Sequence, residues 1–205
     1  MTDAGAGAAA ETGSEPHDNA GFVVGIGGTT VPGSSTERAL AHTLSVIEAR
    51  GIPTRLFDGA YLASLPLYVP GAHDRTPEER AFVAAIRRAT GIVIASPGYH
   101  GSISGLVKNA LDLIEETARD PRPYLSGMPV GLIATAYGWQ ATGSTIAALR
   151  SIAHALRGWP TPFAAAINSQ ATRFDADGGC TDPAVLAQLG IIADQLTGFL
   201  HPTAR

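Results

Sequence analysis

Five times along this chain a short apolar run gives way to a stretch of helical spacing, and that alternation constrains the fold more than any other feature. The first run, Phe22-Val23-Val24-Gly25-Ile26-Gly27-Gly28, is apolar at successive positions, as a strand buried on both faces must be, and it ends on glycines. A helix is predicted over about residues 35–50, with Leu40, Leu44 and Ile47 on one face and Gly51 and Pro53 closing it. Residues 54–57 form the second strand. Residues 58–75, with Pro66, Pro70 and Gly71, read as a long loop. Thr76-Pro77-Glu78-Glu79 is a capping box with proline at the first helical position, opening a helix to about Arg88. Strands follow at 91–96, 129–135 and 161–167, and helices at about 102–116, 142–157 and, behind the Asp182-Pro183 cap, to about Leu200.

Strands that alternate with helices imply a parallel sheet covered on both faces. Five such units fit a flavodoxin-like, doubly wound α/β fold with strand order 2-1-3-4-5, in which ligands bind beyond the carboxyl ends of the strands where the winding reverses, between strands 1 and 3. The 205-residue length suits one such domain over residues 21–205. Residues 1–20, rich in Ala, Gly and acidic residues, read as a flexible tail and lack the basic start and apolar centre of a signal peptide. With 45% hydrophobic and 16% charged residues and a net charge of −4, the chain is globular in composition, and without a Lys/Arg run it is not expected to bind nucleic acid. No stretch reaches the roughly 20 apolar residues of a membrane span. Cys180 is the one cysteine, which excludes an internal disulfide or a cysteine metal cluster and fits a reducing cytoplasm.

If the site lies at the winding reversal, the loops after strands 1 and 3 should be chemically rich. The first, Gly27-Gly28-Thr29-Thr30-Val31-Pro32-Gly33-Ser34-Ser35-Thr36, holds five hydroxyls and three glycines and leads into a helix. Hydroxyls, free helix-terminal N–H groups and the positive dipole end make a phosphate cradle without a lysine. Plain helix capping by a serine is the competing reading. The second, Ser96-Pro97-Gly98-Tyr99-His100-Gly101-Ser102-Ile103-Ser104-Gly105, is a compact turn suited to the rim of a flat ring, with Tyr99 beside it; an incidental aromatic in a tight connection is the alternative. His100 is expected to line the pocket, because no second His, Cys or carboxylate lies at metal-ligand spacing. After strand 4, Tyr137, Gly138 and Trp139 are placed to wall a flat ligand or stack on a nicotinamide, unless they only pack on a neighbouring loop.

These loops, with the run Gly105-Leu106-Val107-Lys108-Asn109-Ala110-Leu111-Asp112, resemble the NADPH-dependent FMN reductase family, which includes chromate, quinone and azo-dye reductases. The likeness spans about residues 22–167. The family's first loop reads Gly-Ser-x-Arg-x-x-Ser-x-(Asn or Thr), and its hydroxyls and arginine hold the FMN phosphate. Here Thr29, Ser34 and Thr36 take the hydroxyl positions, Ser35 lies between the last two, and Val31 stands where the arginine is expected. Loss of a charge-assisted hydrogen bond of about 1.5–3 kcal/mol implies FMN affinity lower by roughly tenfold or more, unless another arginine compensates. The second loop is commonly Pro-Glu-Tyr-Asn-Gly-Ser in the family; Pro97, Tyr99, Gly101 and Ser102 match, while Gly98 and His100 depart.

The resemblance implies an enzyme in which FMN accepts a hydride from NAD(P)H and passes electrons to a small acceptor such as free flavin or a quinone. It needs no catalytic triad and no metal. It further implies a homodimer or homotetramer and admits a partner monooxygenase that uses reduced flavin. Arg38, Arg122 and Arg173 are candidates for a 2′-phosphate contact, with nothing to rank them. Two other readings stand beside it. One is a non-catalytic flavodoxin-type electron carrier. The other is a Rossmann NAD(P) enzyme, for which Gly25-Ile26-Gly27-Gly28-Thr29-Thr30 is only a partial fingerprint, with Thr30 at the third glycine.

Overall fold

The structure is a computed structural model and describes residues 21–175 and 179–201; the tail expected over residues 1–20 lies outside the described residues. Its centre is a parallel sheet. Strand β1 (Phe22–Gly27) pairs with β2 (Thr54–Phe57) on one side and β3 (Ala89–Tyr99) on the other. Strand β3 pairs in turn with β5 (Pro129–Ala136). The fifth position is shared by two short strands, β6 (Trp159–Pro160) against the start of β5 and β7 (Ala165–Asn168) against its end. With β6 and β7 counted as one broken strand, the order is the expected 2-1-3-4-5. The break falls at Pro160 and Pro162, which have no N–H for the ladder.

Successive strand residues point to opposite faces and build two cores. Val24, Ile26, Ile92, Ile94, Val130 and Leu132 meet α3 (Pro77–Arg88), α4 (Gly105–Leu113) and α5 (Trp139–Ala155). Val23, Val93, Ala95 and Ile133 meet α1 (Ser35–Glu48) and α6 (Pro183–Leu200). The residues expected on the inner face of α1, Leu40, Leu44 and Ile47, are all buried. With 18 residues and a mean hydropathy of 1.3, α6 is just long and apolar enough to cross a membrane; here it buries Val185, Leu189, Ile192, Ala193 and Leu196 in that second core.

Three local expectations are revised. The segment 58–75 is not all loop: α2 (Gly59–Ser64) starts behind Asp58, whose side chain accepts from the Tyr61 N–H, and Phe57 packs edge-on against Tyr61 and Phe82 beneath it. A six-residue helix is too short to show periodicity. The rest of that segment is tied down. Asn109 accepts from the Tyr68 N–H and donates to Pro66 O, while Arg75 bonds Val69 O and pairs with Glu79 and Glu116. Second, β3 runs on through Pro97-Gly98-Tyr99 and folds back as a hairpin onto β4 (Ser102–Ile103), so residues 96–105 are mostly strand. Helix α4 therefore starts at Gly105, and a 3-10 turn (Ile114–Thr117) extends it. Third, α5 begins at Trp139, three residues earlier than its sequence suggests, because Gly138 at its cap provides no side-chain start signal.

Candidate functional site

The carboxyl ends of β1, β3, β5 and β7 meet at one end of the sheet. There Thr29, Val31, Ser34, Ser35 and Thr36 form one wall of a cleft of about 340 Å³. Pro97, Gly98 and Tyr99 form the opposite wall, and Thr135, Ala136, Tyr137 and Ser169 complete it. The two loops that sequence singled out thus face each other across one cavity, of a size usual for small-molecule sites.

The first wall is the entry to α1. Ser34 is the N-cap in extended geometry, its Oγ accepting the Glu37 N–H at 3.4 Å, so the capping reading is correct as far as it goes. Its hydroxyl proton stays available, and the N–H groups of Ser35 and Thr36 have no partner inside a helix that starts there. Thr29 Oγ1 closes a local turn, accepting the Val31 N–H at 3.1 Å. Thr36 is 2% exposed, and its Oγ1 lies 2.5 Å from Thr135 Oγ1. One of that hydroxyl pair donates to the other, which leaves one O–H free to donate elsewhere. Dipole, N–H groups and hydroxyls together suit an anion.

A cation also stands behind this wall. Arg38 Nε donates to Gly33 O at 2.6 Å, and Arg38 Nη1 is buried with no hydrogen-bond partner among the described residues. Gly33 is held from its other side as well, its N–H reaching Glu37 Oε1 at 3.4 Å. Val31, in place of the arginine of related loops, is 64% exposed.

The second wall is the hairpin. Its two turn residues, His100 (φ 50°) and Gly101 (φ 85°), are both left-handed, the pattern of a type I′ turn. Ser96 Oγ clamps the hairpin base, donating to Pro97 O at 2.9 Å and accepting the Ser104 N–H at 3.0 Å. At Gly98 the strand passes close to α5. A Cβ there would lie 2.5 Å from Thr145 Oγ1 and 3.2 Å from Ala141 O, so the glutamate usual in related loops has no room.

A second cleft, of about 420 Å³, shares Tyr137 with the first and adds Gly101, Gly138, Trp139, Gln140, Ala141 and Ser144. Tyr99, Tyr137 and Trp139, exposed by 53%, 83% and 63%, stand around the two openings. Neither cleft is lined by His100 or Ser102. His100 sits at the exposed tip of the hairpin, and Ser102 pairs with Tyr99 on the returning strand. Sequence reasoning missed Thr135 and Ser169, single hydroxyls at strand ends with no cluster to mark them. Arg122 is not at this end: it caps α3 by donating to Ile86 O, Arg87 O and Ala89 O, beside the start of β3 and roughly 25 Å of strand away from Pro97.

The sequence profile of NADPH-dependent FMN reductases matches residues 22–172. The chain is 29% identical over 118 residues to an NAD(P)H-dependent FMN reductase of Pseudomonas aeruginosa, across 57% of this chain and 60% of that protein. It is 34% identical over 118 residues to a 2-hydroxy-1,4-benzoquinone reductase of a Burkholderia species, across 55% and 58%. A further match, to an FMN-dependent NADPH-azoreductase of Staphylococcus haemolyticus, is 25% identical over 191 residues, across 86% and 93%. The chain thus spans about three fifths of the length of the first two relatives. Among solved structures, an oxidoreductase of Corynebacterium diphtheriae superimposes with a TM-score of 0.69 at 18% identity, across 90% of this chain and all 100% of that one. A flavodoxin of Streptococcus pneumoniae superimposes with a TM-score of 0.57 at 10% identity, across 86% and 98%, so the fold is flavodoxin-like.

Proposed function

The chain belongs to the NADPH-dependent FMN reductase family, and from that premise we propose that it is an FMN-dependent oxidoreductase that takes a hydride from NAD(P)H and delivers electrons to a small planar acceptor, such as free flavin or a quinone. The single observation that carries this reading is the cleft itself: a hydroxyl-rich helix entry faces a tyrosine-bearing hairpin across one cavity. FMN supplies the hydride-accepting and electron-releasing chemistry when bound. The residues present fit it. The buried, unpartnered Arg38 Nη1 and the first-turn N–H groups of α1 favour an anion at one end. At the other end, Pro97, Gly98 and Tyr99 offer a backbone edge and an aromatic face.

Ser34, Ser35, Thr36 and Thr29 would hold the phosphate, with Thr135 or Thr36 donating the spare hydroxyl proton of their pair. Pro97, Gly98, Tyr99 and Tyr137 would border the ring. Gly101, Gly138 and Trp139 would line the neighbouring space where a nicotinamide or acceptor stacks. His100 and Ser102 act by fixing the hairpin. The acceptor is inferred to be planar because the exposed side chains at the rim are aromatic. A cytoplasmic enzyme, folded as one domain over residues 21–205 and assembled as a homodimer or homotetramer, completes the proposal. Exposed Leu67 and Val69 offer apolar surface for a second copy, and analytical ultracentrifugation tests the assembly.

The deciding experiment is the absorption spectrum of the purified protein mixed with FMN, followed anaerobically on addition of NADPH and of NADH. Bound flavin that bleaches with either nucleotide supports the proposal. A protein that takes up no flavin ends it.

A further inference from the structure

We propose that Arg38 is the residue that makes this site select a flavin carrying a phosphomonoester over an uncharged one, by its charge, from behind Gly33 rather than by lining the cleft; the inference rests on the FMN reading above. Arg38 sits in the first turn of α1, and its side chain folds back toward the helix start. Its Nε donates to Gly33 O at 2.6 Å, the residue immediately before the capping Ser34. A Cβ on Gly33 (φ 68°) would lie 2.9 Å from Arg38 Nη2, so the guanidinium lies flat against the turn. Nη1 has no acceptor although it is buried, and no carboxylate pairs with Arg38 among the described residues. A buried guanidinium nitrogen without a partner calls for an explanation. A positive charge held on Gly33, one residue before the Ser34 cap, supplies one: it stands beside the first turn of α1, close enough to attract an anion seated there.

Glu37 works against it. Its carboxylate bonds the Gly33 N–H from the opposite side of the same turn, so Gly33 is gripped by both signs of charge. A dianionic phosphate arriving at Ser34 is attracted by Arg38 and repelled by Glu37. Arg38 thereby takes over the electrostatic part that the exposed Val31 cannot play.

The test is a titration of the full chain with FMN and with riboflavin, read by quenching of flavin fluorescence at low and high salt. For Arg38→Gln, FMN affinity is expected to fall by about tenfold or more while riboflavin affinity changes by less than about twofold. Glu37→Gln is expected to tighten FMN and leave riboflavin unchanged. Adding Val31→Arg to Arg38→Gln is expected to restore FMN selectivity. Equal losses for both flavins would reduce Arg38 to a brace for the turn, and no loss for either would remove it from the site; both results overturn the proposal. Wild-type protein needs no variant for the second arm: FMN affinity that does not fall with salt overturns the proposal even if Arg38→Gln fails to fold. Wild-type protein that binds neither flavin defeats the FMN reading itself, whereas tight FMN binding undisturbed by Arg38→Gln defeats only the role given to Arg38.

Discussion

The two walls of the cleft both follow strands of the same parallel sheet, yet they are built on opposite plans. The α1 entry is a loop whose shape is set by side chains bonding their near neighbours: Thr29 to Val31, Ser34 to Glu37, and both Glu37 and Arg38 to Gly33. The hairpin is backbone paired to backbone, clamped at its base by Ser96 and pressed against α5 at Gly98. An anion site needs donors and charge, which a helix start and short polar side chains provide. A ring site needs a rigid edge, which strand pairing provides at little cost in side-chain entropy. If this division holds, substitutions in the hairpin should register mainly as stability, and substitutions at the α1 entry, outside its buried Thr36, mainly as flavin affinity.

The strongest test of that division is Gly98→Glu, which restores the residue usual in related loops. Its Cβ would press on Thr145 Oγ1, Ala136 Cβ and Ala141 O, two of them parts of a packed helix. Overpacking of this kind should lower unfolding free energy by about 3 kcal/mol in urea titrations. A variant as stable as wild type would mean that α5 yields easily, and that the hairpin is softer than its hydrogen bonds imply.

Next in size is the buried hydroxyl pair that joins the α1 entry to β5. Thr36→Val alone leaves the Thr135 hydroxyl, 4% exposed, without its partner, and should cost about 1–3 kcal/mol. Thr36→Val with Thr135→Val removes both polar groups and should regain most of that stability, yet bind FMN more weakly than wild type. A double variant as unstable as the single one would show that the pair serves folding rather than the anion.

The same contrast explains what the sequence disclosed. The five strand–helix units and the pairing of the two rich loops were legible, because apolar runs and helical spacing repeat over many residues. The density of hydroxyls at 29–36 marked the α1 entry for the same reason. The hairpin was not legible: His100-Gly101 lacks the Asn or Asp that usually announces a type I′ turn, so a paired strand read as a loop. Helix α2 hid in 58–75 because its start rests on Asp58 alone. Arg38 stood level with Arg122 and Arg173 as a candidate phosphate contact, since only the folded chain brings its guanidinium back to Gly33. Long-range periodic signals survive in a single sequence, whereas one-residue contacts across the chain do not.

On the affinity side, Val31→Arg puts a flexible cation in the cleft wall itself. With Arg38 already behind that wall, the gain should be about tenfold in FMN affinity and none in riboflavin affinity, with the melting temperature unchanged. A gain shared by both flavins would place Val31 against the ring and move the anion end elsewhere.

The smallest effect is expected at the hairpin tip. His100 is held at φ 50°, a region that asparagine enters more readily than histidine. His100→Asn keeps a polar residue at an exposed position while easing the turn, and should raise stability by about 0.5 kcal/mol. Because His100 lines neither cleft, the Kd for FMN should be the same for both proteins. The measurement pairs a urea midpoint with a flavin titration on the same sample. A shift in the midpoint with constant Kd keeps the hairpin a matter of backbone. A changed Kd would give the His100 side chain a place in the ring site, and the hairpin could then no longer be treated as a passive edge.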